Sequence, residues 1–337
     1  MIFIKVPPQP SKDLITGNHQ TAIRYALLLE SVNINANIFT KDIPYEKLEE
    51  FKGGIILHAK KNHSVAVECQ KKGIPYLLVL TGTDIYYDIN DNKTSASQKC
   101  IESITGAKLI IVLQENAKKK LLKKIPNLET KIIVIYQSTN INLKKHNYFE
   151  IKKNFSVIMV GNVRKEKDTL TGIKGFMKAY KNLLNIVEFD IKLIHIGLEL
   201  DKRYSFLVKK YADNFKHIEF LGMRDNIQTI NLINKSDLFL NTSIIEGGCL
   251  ALKEAIDLRI PSLVSDIDCH KSMLGDKYPG YYRVKSVHHL AVQLEDFISN
   301  KIIRKVWTDS IRDSPLAEYT SREEKKLLQH AINFLDK

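Results

Sequence analysis

The stretch "DLFLNTSIIEGGCLALKEAI", Asp237–Ile256, decides the fold. It opens with an apolar run, passes through a Gly-Gly pair and closes on apolar residues at helical spacing. A short strand that turns at glycines directly into a helix is the repeating unit of a wound α/β sheet. Gly247 and Gly248 let backbone approach a ligand closely, and their N–H groups are expected at the positive end of the helix, where an anion is favoured. Glu246 stands just ahead of the pair. Glu246 is read as a loop residue, and Glu254, two turns into the helix, comes to roughly the same side of it. The competing reading makes both glutamates solvated helix-surface charges.

Working outward, the same alternation fills the chain. "IFIKV", "NANIFTK", "GGIILHA", "IPYLLVLTG", "AKLIIVLQ" and "KIIVIYQ" are continuous apolar strands of the kind found in parallel sheets covered on both faces. Between the first two, "NHQTAIRYALLLESV" places Ala22, Tyr25, Ala26 and Leu29 on one helical face, with Asn18 as the expected N-cap. The pattern stops in the polar, lysine-rich segment Ser138–Asn154, the expected linker. It resumes with "FSVIMVG", "FDIKLIHIG", "HIEFLG", "DLFLNTS", "IPSLVSD" and "YYRVK". The expectation is an α/β chain of two Rossmann-like doubly wound domains, residues 1–145 and 154–316, facing across a cleft. Residues 317–337 form an amphipathic helix, capped by Thr320 or Ser321, that could cross back onto the first domain.

Bulk properties narrow the class. The length of 337 residues suits two domains. Cys69, Cys100, Cys249 and Cys269 form no C-x-x-C pair, so neither a zinc site nor a disulfide framework is expected. No apolar run reaches the roughly 20 residues of a membrane span, and "MIFIKVPPQP" reads as a strand rather than a signal peptide, so a cytoplasmic location is expected. The net charge of +13 favours anionic ligands. The lysines are scattered, without an aromatic-and-basic stacking pattern, and nucleic acid is not expected. Helical stretches of the first domain, such as "YEKLEEFKG", show no convincing basic and apolar patch, so peripheral membrane contact is not expected either. The oligomeric state is left open.

Ligands of doubly wound sheets bind at the carboxyl ends of the strands. In the second half, "FSVIMVG" runs into "NVRKEKD", placing Arg164 and Lys167 there as candidate diphosphate cations. In the first half, Gly17 and Asn18 open a helix, His58 follows the strand "GGIILHA", and Thr83 and Asp84 follow "YLLVLTG"; these are candidates for a second polar or anionic group. Asp266 and Asp268 form a D-x-D, but neighbouring cations already supply positive charge and no metal is expected.

These residues resemble the retaining GT-B glycosyltransferases of family four, whose second domain carries E-x7-E after its fourth strand; Glu246 and Glu254 match. The resemblance implies that Glu246 contacts the donor sugar, Glu254 the nucleotide ribose, and Gly247 and Gly248 the phosphates. The family's phosphate signature, a Gly-Arg pair followed by Lys, is matched at Gly161 and Lys167, with Asn162 at the arginine position and Arg164 available to take over the charge. The donor set implied is Gly161, Asn162, Arg164, Lys167, Glu246, Gly247, Gly248, Leu250 and Glu254.

A narrower likeness rests on "TGNHQTAIRYALLL", "LHAKKN", "LTGTDIYYD", "IIEGGCLALKEAI" and "MLGDKYPGYYRV". Together they look like the selenosugar synthases of selenoneine biosynthesis, which join selenophosphate to the sugar of a UDP-sugar, typically UDP-N-acetylglucosamine, and release UDP. The chain has Cys269 and His270 where that subfamily tends to have Gly-Asn. This likeness implies UDP-sugar and selenophosphate as substrates, no cofactor, and an acceptor site of Gly17, Asn18, His58, Lys60, Thr83 and Asp84. His58, Lys167, Arg164 and Glu246 are the implied catalytic residues, His58 as a positioner. An ordinary family-four enzyme using a hydroxyl acceptor, or a non-catalytic nucleotide-sugar sensor, would share the same motifs.

Overall fold

The computed structural model describes residues 1–8, 16–89, 94–141 and 154–336. The linker expected at Ser138–Asn154 lies largely outside them. The chain divides into two units. The first comprises Met1–Ser138, Glu246–Gly248 and Tyr319–Lys337, and the second Thr139–Ile245 and Cys249–Glu318.

In chain order the first unit contains β1 (Ile2–Lys5), α1 (Gly17–Glu30), β2 (Ala36–Phe39), β3 (Gly54–Leu57), α2 (His63–Lys71), β4 (Tyr76–Leu80), α3 (Ser95–Gly106), β5 (Leu109–Val112), α4 (Glu115–Lys124) and β6 (Ile132–Val134). Its parallel sheet has the order β2-β1-β3-β4-β5-β6. Alternation of side chains across the sheet explains the unbroken apolar runs. In β3, Ile56 joins the core beneath α2, α3 and α4, whereas Ile55 and Leu57 join the core on the other face, with Ala22, Tyr25 and Leu29 of α1.

The second unit follows with β7 (Asn154–Val160), α5 (Thr169–Leu183), β8 (Asp190–Ile196), α6 (Lys202–Ala212), β9 (Ile218–Gly222), α7 (Asn226–Lys235), β10 (Leu238–Asn241), α8 (Leu250–Asp257), β11 (Ser262–Ser265), α9 (Asp268–Leu274), β12 (Tyr281–Tyr282), α10 (Val287–Ser299) and α11 (Lys301–Arg312). Its strands are also parallel, in the order β12-β11-β10-β7-β8-β9. Counted within the unit this is the 3-2-1-4-5-6 order of the Rossmann fold, with its switch point between β7 and β10.

The last helix, α12 (Ser321–Ile332), belongs to the first unit and contributes Leu328, Ala331 and Ile332 to the core shared with α1. Thr320 is its N-cap, in a capping box with Glu323. Glu324, fully buried, accepts two hydrogen bonds from Arg24 Nε at 3.0 and 3.1 Å and one from the Ser138 amide at 2.8 Å. A buried carboxylate tolerates this position because a cation and a backbone donor both satisfy it.

Two boundaries differ from the sequence reading. The N-cap of α1 is Thr16, not Asn18: Thr16 is extended and its hydroxyl accepts from the His19 amide, while Gly17 and Asn18 are already helical. Helix α8 begins at Leu250 rather than Gly247, with Cys249 as its cap residue in a non-helical conformation. Each glycine costs about 1 kcal/mol in a helix interior relative to Ala, and here the Gly-Gly pair stays in the loop.

Candidate functional site

In the second unit the loops after β7 and β10 leave the two strands that flank the switch point, and they are tied together. The Thr242 hydroxyl donates to the Lys167 carbonyl at 2.9 Å, and the Ile244 amide donates to the Glu166 carbonyl at 2.9 Å. Lys167 lies over Gly161: a Cβ added at Gly161 would stand 3.3 Å from Lys167 Cδ. Gly161 and Lys167, six residues apart in sequence, are thus brought together. Arg164 is 43% exposed and meets Glu166 at 3.9 Å, the outer limit of an ion pair. Asn162 turns its amide oxygen to the Leu198 amide at 2.9 Å, so its side chain joins the β7 and β8 loops.

Beneath Gly161 lies His195 of β8, 2% exposed and hydrogen-bonded to the Gly161 backbone. Burial pushes its pKa down to about 4, so it is neutral at physiological pH. Asp168, which caps α5, takes a left-handed conformation with φ 45°, one that Asp tolerates better than most residues.

Glu246 is a loop residue ahead of the glycines, as expected, and the loop continues to Cys249 because α8 starts only at Leu250. Glu254 itself is 4% exposed and accepts a hydrogen bond from Asn226 Nδ2 at 3.1 Å, which excludes the solvated-helix reading for it. Leu250 occupies the first turn of α8, half-buried. Cys249 is buried and accepts from Asn241 Nδ2 at 3.1 Å, and its thiol lies within 4.8 Å of the ligand nitrogen of His270. Glu246, three residues before Cys249, carries a third side chain of metal-ligating type. His270 Nδ1 donates to the Ser265 carbonyl at 2.8 Å, which leaves the lone pair on Nε2. The neighbouring Cys269 is buried with its sulfur 3.9 Å from that of Met273. Of the D-x-D pair, Asp266 accepts from the Val284 amide at 2.9 Å and Asp268 opens α9, so one carboxylate serves the backbone.

Glu246–Gly248 group with the first unit, and the reason is steric. A Cβ on Gly247 would fall 2.3 Å from the Thr81 carbonyl oxygen, and one on Gly248 would fall 2.9 Å from Leu113 Cβ. The glycines are required by this packing, whatever else their amides bind.

In the first unit, the switch point lies between β1 and β3, and the loop after β3 begins with His58. Its backbone is left-handed, φ 72°, a strained state for a non-glycine residue. Its ring Nε2 is 3.0 Å from the Thr83 hydroxyl, and Nδ1 lies 3.7 Å from Asp84 Oδ2. Burial lowers the His58 pKa, against the opposing pull of Asp84. Asp84 is fully buried and accepts from four backbone amides: Ala59 at 3.3 Å, Thr81 at 3.0 Å, Gly82 at 2.9 Å and Ile85 at 3.1 Å. It binds two strand-end loops into one body. Lys60, partly exposed, pairs with Asp88. Among the described residues, a Cβ placed on Gly17 would meet no atom within 4 Å; Gly17 is exposed and Asn18 half-buried.

Residues 140–314, just over half of the chain, match the family model described as Glycosyl transferases group 1. The chain belongs to this family. Among relatives, the glycosyltransferase is 25% identical over 257 residues to Protein CapJ of Staphylococcus aureus, covering 72% of this chain and 61% of CapJ. It is 23% identical over 278 residues to Glycosyltransferase 1 domain-containing protein 1 of Xenopus tropicalis, covering 77% of each. Among solved structures, Anabaena Alr3699/HepE in complex with UDP and glucose superposes with a TM-score of 0.76 at 15% identity, covering 99% of both chains. The fold is therefore GT-B, two Rossmann-like α/β domains. No helix among the described residues is long and apolar enough to cross a membrane.

Sequence reasoning misses several residues that organise this glycosyltransferase. Asn226, which holds Glu254, and His195, which supports Gly161, sit in segments without a motif. Thr242 and Asn241 are visible only as the end of a strand. The contacts they make come from residues 8 to 75 positions away, beyond the range of local pattern.

Proposed function

We propose that this enzyme transfers a hexose from a UDP-sugar, UDP-N-acetylglucosamine in the first instance, to the selenium of selenophosphate. The bond from the anomeric carbon to the diphosphate oxygen breaks, its electron pair leaving with UDP, and a carbon-selenium bond forms. The immediate product carries the phosphoryl group on selenium, and water must cleave the phosphorus-selenium bond to free the selenosugar.

The donor half of the reading draws support from the family match and from HepE, whose structure holds UDP and glucose. Arg164, Lys167, Gly161 and the amide-bearing loop Glu246–Leu250 would stabilise the departing diphosphate, and Glu254, fixed by Asn226, would accept the ribose hydroxyls. Asn162 would act through loop position, since its side chain is engaged with Leu198.

The observation that carries the acceptor half is that the candidate bases among the described residues of the loops after β3 and β4 are engaged or weakened. Asp84 is saturated by four amides, Asp88 is paired with Lys60, and burial depresses the basicity of His58. A hydroxyl acceptor needs a disposable base; selenophosphate arrives ionised, with a soft and strong nucleophile. Gly17, Asn18, His58, Lys60 and Thr83 then act by binding and aiming the anion.

The test is incubation with UDP-N-acetylglucosamine and selenophosphate, followed by mass spectrometry for UDP and for the selenium-bearing sugar. Both products are expected. UDP release only with hydroxyl acceptors would identify an ordinary transferase, and saturable UDP-sugar binding without turnover a sensor; either result rejects the proposal.

A further inference from the structure

Helix α6 of the second unit has two unlike faces. Tyr204, Ser205, Val208 and Ala212 are buried, Tyr204, Val208 and Ala212 within the core of the second unit. On the opposite side Phe206 is 71% exposed, Leu207 46% and Tyr211 39%. With about 100° between successive residues of a helix, the exposed face reads Phe206, Lys210, Arg203, Leu207, Tyr211, so cations stand between the apolar side chains. Lys202 flanks them, and Lys174 of α5 lies over the Tyr211 ring at 4.3 Å. No carboxylate occurs from Lys202 to Ala212. The nearby acids are committed at the margins: Glu199 pairs with Lys209 at 2.6 Å, Asp201 caps the helix by accepting from the Tyr204 amide at 3.0 Å, and Asp213 is the C-cap residue.

A large aromatic and a leucine side by side on the surface, interleaved with cations, require a partner that is apolar and anionic at once. A second copy meeting this face about a two-fold axis would bring two sets of cations together with no carboxylate on the face to pair them, which disfavours it. The membrane interface offers both chemistries at the right depths. Acyl chains receive Phe206 and Leu207, while the long stems of Arg203 and Lys210 carry their charges back to the phosphate plane. The overall charge of +13 adds long-range attraction to an anionic surface. We propose that the exposed face of α6 docks onto a bilayer containing anionic phospholipid. The patch lies in "KRYSFLVKKYA" of the second unit rather than in the first-domain helices, and its amphipathic character is hidden in the sequence because its apolar residues face both ways.

Flotation of the full chain with phosphatidylcholine vesicles, with and without phosphatidylglycerol, tests the proposal. Co-flotation is expected only with phosphatidylglycerol and is expected to fall as salt is raised. The double variants F206S/L207S and R203E/K210E should each weaken it at least about tenfold with unchanged thermal melting, since both pairs are exposed. Equal binding to both vesicle types, or equal binding by wild type and variants, overturns it. So does a dimer in light scattering that F206S/L207S converts to monomer, because the face would then belong to a second copy.

Discussion

The loops that follow the strands of the first sheet and those that follow the second use the same residue types to opposite ends. In the first, charge is turned inward: Asp84 gathers four backbone amides and Asp88 holds Lys60. In the second, Arg164 is half-exposed and Lys167 lies along Gly161, with the loop supported from below by a neutral imidazole, His195. One set of loops is organised by a buried charge, the other by a buried neutral group. A charged residue after a strand is therefore not by itself a ligand contact; its count of backbone partners decides.

The largest effect expected from breaking this comparison is at Asp84. Asp84→Ala orphans the amides of Ala59, Thr81 and Gly82, while Ile85 keeps its bond to the Gly82 carbonyl, and should cost about 3 kcal/mol in urea denaturation followed by far-UV circular dichroism, with Asp84→Asn costing about half. A loss below about 1 kcal/mol would mean that the carboxylate is available to a ligand after all.

At His195 the expected effect depends on pH. The folded pKa of about 4 lies below the ordinary value of 6.5, so the unfolded chain takes up a proton first as pH falls. Stability should be level above about pH 6.5, decline by on the order of 3 kcal/mol between there and about pH 4, and level again below. His195→Gln should flatten that portion of the slope in thermal melts across the same range. A slope unchanged by the substitution would remove the neutral imidazole from the account.

Lys167→Ala should lower turnover with UDP-sugar by about 100-fold, close to 2.7 kcal/mol of barrier, without a change in melting temperature. Near-normal turnover would leave the second set of loops with no more functional charge than the first. The smallest effect is expected at Glu254. Its replacement by Ala should weaken UDP binding about tenfold by calorimetry, as a carboxylate serving hydroxyl donors contributes mainly to affinity. Unchanged affinity would make Glu254 a structural partner of Asn226 and nothing more.

Much of this is legible in the chain. The apolar runs appear as parallel strands, since a strand buried on both faces must be apolar throughout, and Thr320 caps α12 with Glu323 three residues on. Local geometry is less so. The Gly-Gly pair reads as the opening of a helix, but α8 waits until Leu250, and Glu254, which as a sequence could equally be a surface charge, is buried. Asn18 yields the cap of α1 to Thr16 because capping depends on backbone dihedrals, which residue type only biases. Asp84 reads as a contact for an acceptor, and its spacing gives no sign that Ala59, from another strand's loop, shares it.

The sequence by itself determined two wound sheets, their apolar strands, the family motifs and the residues that carry charge near strand ends. Those properties are local: periodicity, glycine placement and capping are written in a few neighbouring residues. Tertiary structure decided the strand orders that place His58, Lys167 and Thr242 at switch points, the burial that neutralises His195, and the four amides that occupy Asp84. Each of these depends on segments far apart in the chain meeting in a low-dielectric interior, where the solvation of a charge and the number of its partners are set by the fold.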